Sequence, residues 1–367
     1  EDQGERMGAG RVVVGVLHGE NLVLEIEESA RVDLQADVKV DGSAAGLLGV
    51  QVDLPQLAQR VRLYEVALVM NMETMVNRVA LQVRHEAGDV DDCHARHTTV
   101  SSVPLFDYDS SDRDLIGFLH DVADAAADTL DEIDGWAMSG ERDGQYEADV
   151  VVDDVVVAML EASGFTVLSE ESGLTREPGP VEGGELLVVV DPLDGSTNAS
   201  RGLPWYATSL CIVDRDGPRA ALVAEQSGTE TRYAAVRGGG ANCDGVPLRI
   251  TGGADLAGAV VGVNGAPPAD LPWWQTRTMG AAALDISLVA KGALDGYVDL
   301  HDHGVWDYMA ALLICREAGC VAVDGFGRDL VVLDPAARRS PVVAHSPVLL
   351  ESLLSVHARS SRSQPSH

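Results

Sequence analysis

Lysine is almost missing from this sequence. In 367 residues it occurs only at Lys39 and Lys291, and 26 basic side chains in all face 58 aspartates and glutamates, for a formal net charge of -32. So acidic a surface repels a phosphate backbone, which argues against nucleic acid as a partner and favours cations. The imbalance suits a protein working in high salt, where repulsion among acids is screened. A GC-rich coding sequence would give the same preference for arginine, and both explanations stay open. Aromatic residues make up 4% of the chain, and before residue 100 there is only Tyr64. No apolar run approaches the roughly 20 residues that span a bilayer. The N-terminus has no basic stretch followed by an apolar one, so no export signal is expected and a cytoplasmic location is. The five cysteines, Cys93, Cys211, Cys243, Cys315 and Cys320, are odd in number and show no CxxC pair, which speaks against a disulfide framework or a zinc site. Neither GxGxxG nor GxxxxGK[ST] is present, and the glycine-rich "RGGGANCDG" at 237–245 reads as a hairpin rather than a phosphate cradle. A DxDxDG loop is also missing, which argues against a calcium-binding acidic module.

What is present begins near residue 100. Before it, "RVVVGVL", "NLVLEIE" and "VDLQADVKV" alternate only weakly and carry no site. From Asp112 onward, Leu115, Ile116, Leu119, Val122, Ala123 and Ala126 recur at helical spacing, and strand and helix signals alternate to about Leu354. Three segments follow: 1–105, an extension of unknown role; 106–357, a catalytic domain; and 358–367, a polar tail expected to be disordered. The extension is either an upstream stretch foreign to the enzyme, with a GTG start at Val100 or Val103, or a small β-rich domain. A chain beginning near Ser101 is expected to fold and act normally.

The segment "LLVVVDPLDGSTN" at 186–198 carries the chemistry. Leu186 to Val190 is apolar on both faces, as a core strand is, and it delivers Asp191 and Asp194 into one turn. A second acidic cluster, Glu170 and Glu171, follows the strand expected at 165–168. A third, Asp307, precedes a helix that ends at Gly319. Taken singly, each has a bland explanation: a solvated face, an N-cap, a D-P-x-D-G turn. Together, carboxylates from three separate elements can enclose hard divalent ions.

The arrangement resembles the inositol monophosphatase family of lithium-sensitive, magnesium-dependent phosphatases. Its D-P-[LI]-D-G-[ST]-T-N signature is complete at 191–198. The likeness continues through "SEESG", "RGGGANCDGVPL", "MGAAALDISLVAKGALDGYVDL" and "WDYMAALLICREAG", and so covers about residues 110–355. It implies an α/β (α+β) fold, a layered α/β/α/β/α sandwich of the inositol monophosphatase and fructose-1,6-bisphosphatase type. It implies two or three Mg2+ per site. Glu170, Asp191 and the Leu193 carbonyl would hold one ion, with Asp194 and Asp307 joining Asp191 at a second and Glu171 and Asp149 near a third. Glu170, Ser196 and Asp194 form the implied catalytic set, with Glu170 and Ser196 orienting the attacking water. Gly195, Ser196, Thr197, Gly280, Ala282 and Asp307 would contact the substrate.

The expected reaction is hydrolysis of a sugar or polyol phosphate, inhibited by lithium. The partner is then a small-molecule phosphate monoester rather than nucleic acid or membrane, and a homodimer is expected. Fructose 1,6-bisphosphate, histidinol phosphate and 3'-nucleotides are the alternative substrates, and a non-catalytic phosphate- or metal-binding relative is the rival of another class.

The sequence departs from the family in three places. The loop "GERDGQYEADVVVDD" has no lysine and has Tyr146 where threonine is usual, so that only Asp149 fits securely. Cys320 replaces the last glycine of E-A-G-G. The hydroxyl-binding glutamate is missing, leaving Asp299, His301 and Asp302 as candidates. His301 and His303 form an H-x-H pair assigned to a surface loop or substrate rim rather than to metal. The alcohol end of the substrate would be read by residues 280–283 and 299–303. Unless Arg201, Arg277 or Lys291 reaches in, these offer a second phosphate little positive charge, which favours monophosphates.

Overall fold

The computed structural model describes residues 12–17, 21–26, 98–99, 104–140, 142, 144–176 and 185–360. The chain divides into two compact units, Glu1–Pro104 and Leu105–His367. In the first, β1 (Val12–Leu17), β2 (Asn21–Ile26) and β3 (Thr98–Thr99) form an antiparallel sheet in that order. The first two weakly alternating stretches of the sequence thus supply a hairpin, and the third, at 32–40, lies outside the described residues. The other expectations for residues 1–105 lie outside the described residues.

The second unit is layered. Helix α1 (Asp112–Asp131) starts where Ser111 accepts the Asp114 amide at 3.2 Å, with Asp112 and Asp114 in its first turn. Leu115, Leu119, Val122 and Ala126 form its buried stripe, and α2 (Glu147–Ala162) contributes Val152, Val156 and Leu160. Both pack on one face of an eight-stranded mixed sheet. Its strands are β4 (Thr166–Ser169), β5 (Gly173–Leu174), β6 (Leu187–Asp194), β7 (Ala207–Asp214), β8 (Gly217–Glu225), β9 (Arg232–Val236), β10 (Gly240–Cys243) and β11 (Val246–Leu248), in the order β11-β10-β9-β8-β7-β6-β4-β5. Only β4 and β6 run parallel.

The strand read from Leu186 to Val190 is indeed buried on both faces. Val188 and Val190 join the core under α1 and α2, while Leu187 and Val189 join a core on the opposite side. That second core is filled by α4 (Ala282–Lys291) and α5 (Met309–Ala318). Beyond it lies a five-stranded sheet of β12 (Val260–Asn264), β13 (Gln275–Arg277), β14 (Gly296–Asp299), β15 (Val321–Asp324) and β16 (Pro341–Ala344), in the order β13-β12-β14-β16-β15. The last helix, α6 (Pro347–Ser360), covers its far face with Leu349, Leu353 and Val356. The layers are therefore helix, sheet, helix, sheet, helix, as the resemblance implied.

Three details differ from or sharpen the sequence reading. The strand expected at 165–168 sits one residue later. The tail expected to be disordered from 358 is helical through Ser360, and the rest of it lies outside the described residues. The glycine-rich segment is a β9–β10 hairpin, and its amides at Gly238 and Gly240 do receive an anion, the carboxylate of Glu317, at 2.9 and 3.0 Å. The E-A-G-C stretch thus ties the end of α5 to the large sheet.

Candidate functional site

Period-2 alternation would send Asp191 and Asp194 to opposite faces of β6. The ladder with β7 prevents this: Asp191 pairs with Ser209, then the register shifts before Asp194 meets Ala207. Pro192, which has no N–H to give the ladder, sits in the irregularity, and its carbonyl accepts the Thr208 hydroxyl at 2.9 Å. Gly195 then turns the chain with φ +89° into a short helix, α3 (Ser196–Ser200). A Cβ on Gly195 would stand 3.0 Å from the Trp205 carbonyl oxygen and 3.2 Å from that of Gly280. Gly195→Ala is therefore expected to cost about 2 to 4 kcal/mol and most of the activity, since both backbone strain and collision must be relieved. Urea unfolding and initial rates check this, and a variant of wild-type stability would contradict it.

Glu170 leaves β4, and Asp307 ends a single 3-10 turn, Val305–Asp307, ahead of α5. Ligand atoms of Glu170, Asp191 and Asp307 all lie within 4.8 Å of one another. Asp191 accepts the Leu193 amide on Oδ1 at 3.0 Å, while its Oδ2 is buried without a hydrogen-bond partner. Asp194 stands outside this triplet. Its two oxygens accept the amides of Ala282 (3.1 Å) and Ala283 (2.7 Å) at the start of α4. The amide of Ala282, a residue expected to contact the substrate, is thus committed to Asp194.

Burial, then mutual repulsion, pushes Glu170 and Asp191 well above the usual carboxylate range. Burial and Asp307 push Asp194 up to about 8. Burial also raises Asp307, against the opposing pull of His303.

A second ring of polar groups holds this centre. Asp149 lies in the first turn of α2 and accepts the Tyr146 amide at 2.8 Å on Oδ2; burial raises it to about 6, and its Oδ1 has no partner. Glu171 is held by Arg142 at 2.5 Å and by the Gln145 side chain, and Arg142 reaches the Glu170 carbonyl at 3.0 Å. Trp205 Nε1 donates to Asp285 Oδ1 at 2.7 Å, and Asn198 Nδ2 donates to the carbonyls of Trp205 and Met279, each at 2.8 Å. Asp299, expected at the substrate rim, is fully buried, bonded to His303 Nδ1 and accepting Asn264 Nδ2 and the His301 amide at 2.9 Å each. Burial disfavours the charged form of His303, but Asp307, Asp299 and Asp194 outweigh it and lift the ring to about 10. His303 is therefore a partner of a buried acid, while His301 and Asp302 remain exposed.

A cavity of about 520 Å³ opens over this centre, lined by Glu170, Glu171, Asp149, Ser169, Ser196 and Trp306 together with Arg142 and Arg338. Among known proteins, the model of the inositol monophosphatase family matches residues 118–362.

The chain belongs to the inositol monophosphatase family.

It is 32% identical over 212 residues to a fructose-1,6-bisphosphatase of Pyrococcus furiosus, covering 57% of this chain and 81% of that one. It is 31% identical over 237 residues to an inositol-1-monophosphatase of Mesorhizobium japonicum, covering 59% and 84%. A solved structure from Pyrococcus horikoshii, described as a hypothetical protein with similarities for inositol-1 monophosphatase, superposes with a TM-score of 0.58 at 26% identity, covering 66% of this chain and 98% of that one. As a member of the inositol monophosphatase family, the chain is a phosphatase of phosphate monoesters.

Sequence reading found the three acids that converge and Ser196 on the cavity wall. Among the other residues named as substrate contacts, Gly195, Thr197, Gly280 and Ala282 do not line the cavity. The arginines on the cavity wall were missed. Arg142 lies in the loop whose divergence from the inositol monophosphatase pattern was legible, so that divergence was the available signal. Arg338 carried none.

Proposed function

We propose that the chain hydrolyses the phosphate monoester of a sugar or polyol at a magnesium centre, with water as the nucleophile. The observation that supports this most is the convergence of Glu170, Asp191 and Asp307 around the unpartnered Asp191 Oδ2. Carboxylates so placed fit a hard divalent cation, because burial and their repulsion outweigh the pull of His303 on Asp307 and of Arg142 on Glu170, and all three are raised. Such cations neutralise charge on a phosphate and acidify water.

The chain's own residues supply the rest. Glu170 and Ser196 face the cavity as the pair that orients water, with Asp149 on the same wall. The amides of Ser196 and Thr197 precede the first helical hydrogen bond of α3, given by Ala199 to the Gly195 carbonyl at 3.1 Å, so that they are open to phosphate oxygens. Asp194, held rigid by two α4 amides, completes the acidic wall with Asp307. A third ion fits less well: of the two acids expected near it, Asp149 has a free Oδ1, but Glu171 already carries the Arg142 guanidinium and the Gln145 amide. Two ions therefore match the donors better than three.

Cys211, Cys243, Cys315 and Cys320 are free and buried, and no described helix is long and apolar enough to cross a membrane. These features support a cytoplasmic site of action, and Cys93 lies outside the described residues. Phosphate release from inositol 1-phosphate, fructose 1,6-bisphosphate, histidinol phosphate and a 3'-nucleotide, with and without magnesium, tests the reading. Magnesium-dependent release that lithium inhibits is expected. No release from any of the four would favour the non-catalytic rival.

A further inference from the structure

Cations are scarce in this chain, yet two guanidiniums line its catalytic cavity. They are not equivalent. Arg142 is committed to Glu171 and to the Glu170 carbonyl. Arg338 has only Nη1 engaged among the described residues, donating to the carbonyls of Pro335 (2.8 Å) and Ala337 (3.0 Å). Its Nε and Nη2 are left as a pair of donors on an exposed guanidinium that lies over the Trp306 ring, 5.2 Å from the centroid.

That platform is rigid. Ser209 donates to the Trp306 carbonyl at 3.0 Å, and only a glycine at 304 admits the indole, since a Cβ there would stand 2.3 Å from the ring. The segment bearing Arg338 is fixed as well. Arg339 exchanges backbone hydrogen bonds with His303 at 2.8 and 2.9 Å, and its side chain bonds the carbonyls of Asp329 (2.6 Å) and Arg338 (2.9 Å). A planar fork held over an aromatic ring and anchored at one nitrogen has lost much of its rotamer freedom in advance, which favours binding of phosphate or carboxylate by both remaining donors.

The side chains named as the possible sources of positive charge for a second phosphate do not line the cavity. Arg201 is exposed beyond α3, Arg277 donates to Thr276 and Gln275 of its own strand, and Lys291 lies over Tyr233. Those three leave the argument for monophosphates as it stood, and it is Arg338 on the cavity wall that works against it.

We propose that Arg338 is a specificity-determining residue, binding a second anionic group, phosphate or carboxylate, on the alcohol part of the substrate. This rests on the phosphatase reading above. The site then favours anionic phosphate esters over esters of neutral polyols.

The test compares kcat/KM for fructose 1,6-bisphosphate, 3-phosphoglycerate and inositol 1-phosphate at equal magnesium and ionic strength, in wild type, Arg338→Met and Arg338→Lys. Wild type is expected to prefer at least one anionic substrate to inositol 1-phosphate. Whichever of the two has the larger ratio identifies the second group as phosphate or carboxylate. Arg338→Met should lower that ratio at least fivefold, and Arg338→Lys, which keeps the charge but loses the fork, should lower it less. The position is exposed, so both variants should keep the wild-type melting temperature. A fall of less than fivefold, a loss shared equally by all three substrates, or no anionic preference in wild type overturns the proposal. An equal loss would show Arg338 acting only through the charge of Asp307. Absence of hydrolysis of all three by wild type would instead remove the phosphatase reading, and this proposal with it.

Discussion

Asp191→Asn is expected to lower kcat/KM by at least about 10⁴, equivalent to roughly 5.5 kcal/mol of transition-state stabilisation, while the metal-free protein melts no lower than wild type. The two halves of this expectation come from the same geometry. Asp191 is buried among Glu170, Asp194 and Asp307, and its Oδ2 has no partner, so without a cation its charge is a burden on the fold. Asparagine preserves the shape and can still accept the Leu193 amide, but it removes the charge around which the other acids gather. Thermal melts with and without magnesium separate the roles: wild type should gain stability with the ion, and the variant should gain little. Turnover within tenfold of wild type would remove the metal mechanism. A large drop in the metal-free melting temperature would show instead that Asp191 holds the fold together.

The parts of this protein legible in its sequence are those whose signals are local. The strand at 187–194 announced itself because a run apolar on both faces suits a strand covered on both sides, and the turn after it announced itself because Asp, Pro, Gly and Ser occur there in close order. The convergence of Glu170, Asp191 and Asp307 was legible only through resemblance, since no pattern within β4, β6 or the 305–307 turn reports their proximity. Contacts between residues far apart in sequence were not legible at all. Asp285 reads as an ordinary first-turn acid of α4, yet it receives Trp205 Nε1 from 80 residues away and is raised by burial to about 7. His303 reads as half of a histidine pair, and only the packing of 299–303 shows it buried against Asp299. Arg338 resembles any surface arginine until Trp306 is placed beneath it. The β6 irregularity was hidden for a different reason: proline permits it, but the pairing of Asp194 with Ala207 establishes it.

Metal-free protein is expected to lose stability as pH rises from 5.5 to 8.5, and magnesium should restore most of the loss. The sign follows from which state holds the protons. In the fold, burial first raises Asp149 and Asp153 to about 6, Asp285 to about 7 and Asp194 to about 8, and holds Glu170 and Asp191 well above their ordinary range. Unfolded, these carboxyls ionise near pH 4. Between that pH and their folded values the native state binds more protons than the unfolded one, so unfolding free energy falls with rising pH. His303 acts in the same direction, because its folded value near 10 exceeds an ordinary imidazole's and its contribution fades as pH climbs towards it. The acids held below their ordinary value, Asp214, Glu225 and Asp324, lose their contribution only in stronger acid, outside this window.

An aspartate moved from its ordinary value to near 8 represents roughly 5 kcal/mol at most. Several kcal/mol in a domain of this size should lower the melting temperature by about 10 °C. Magnesium reverses the trend because it favours the ionised carboxylates, so its stabilisation should be larger at pH 8.5 than at 5.5. Potassium chloride at matched ionic strength screens the repulsion of the acidic surface and should not substitute for it. A metal-free melting temperature that holds or rises between pH 5.5 and 8.5, or equal rescue by potassium chloride, would mean that the buried carboxylates do not carry the shifted protons this account assigns them.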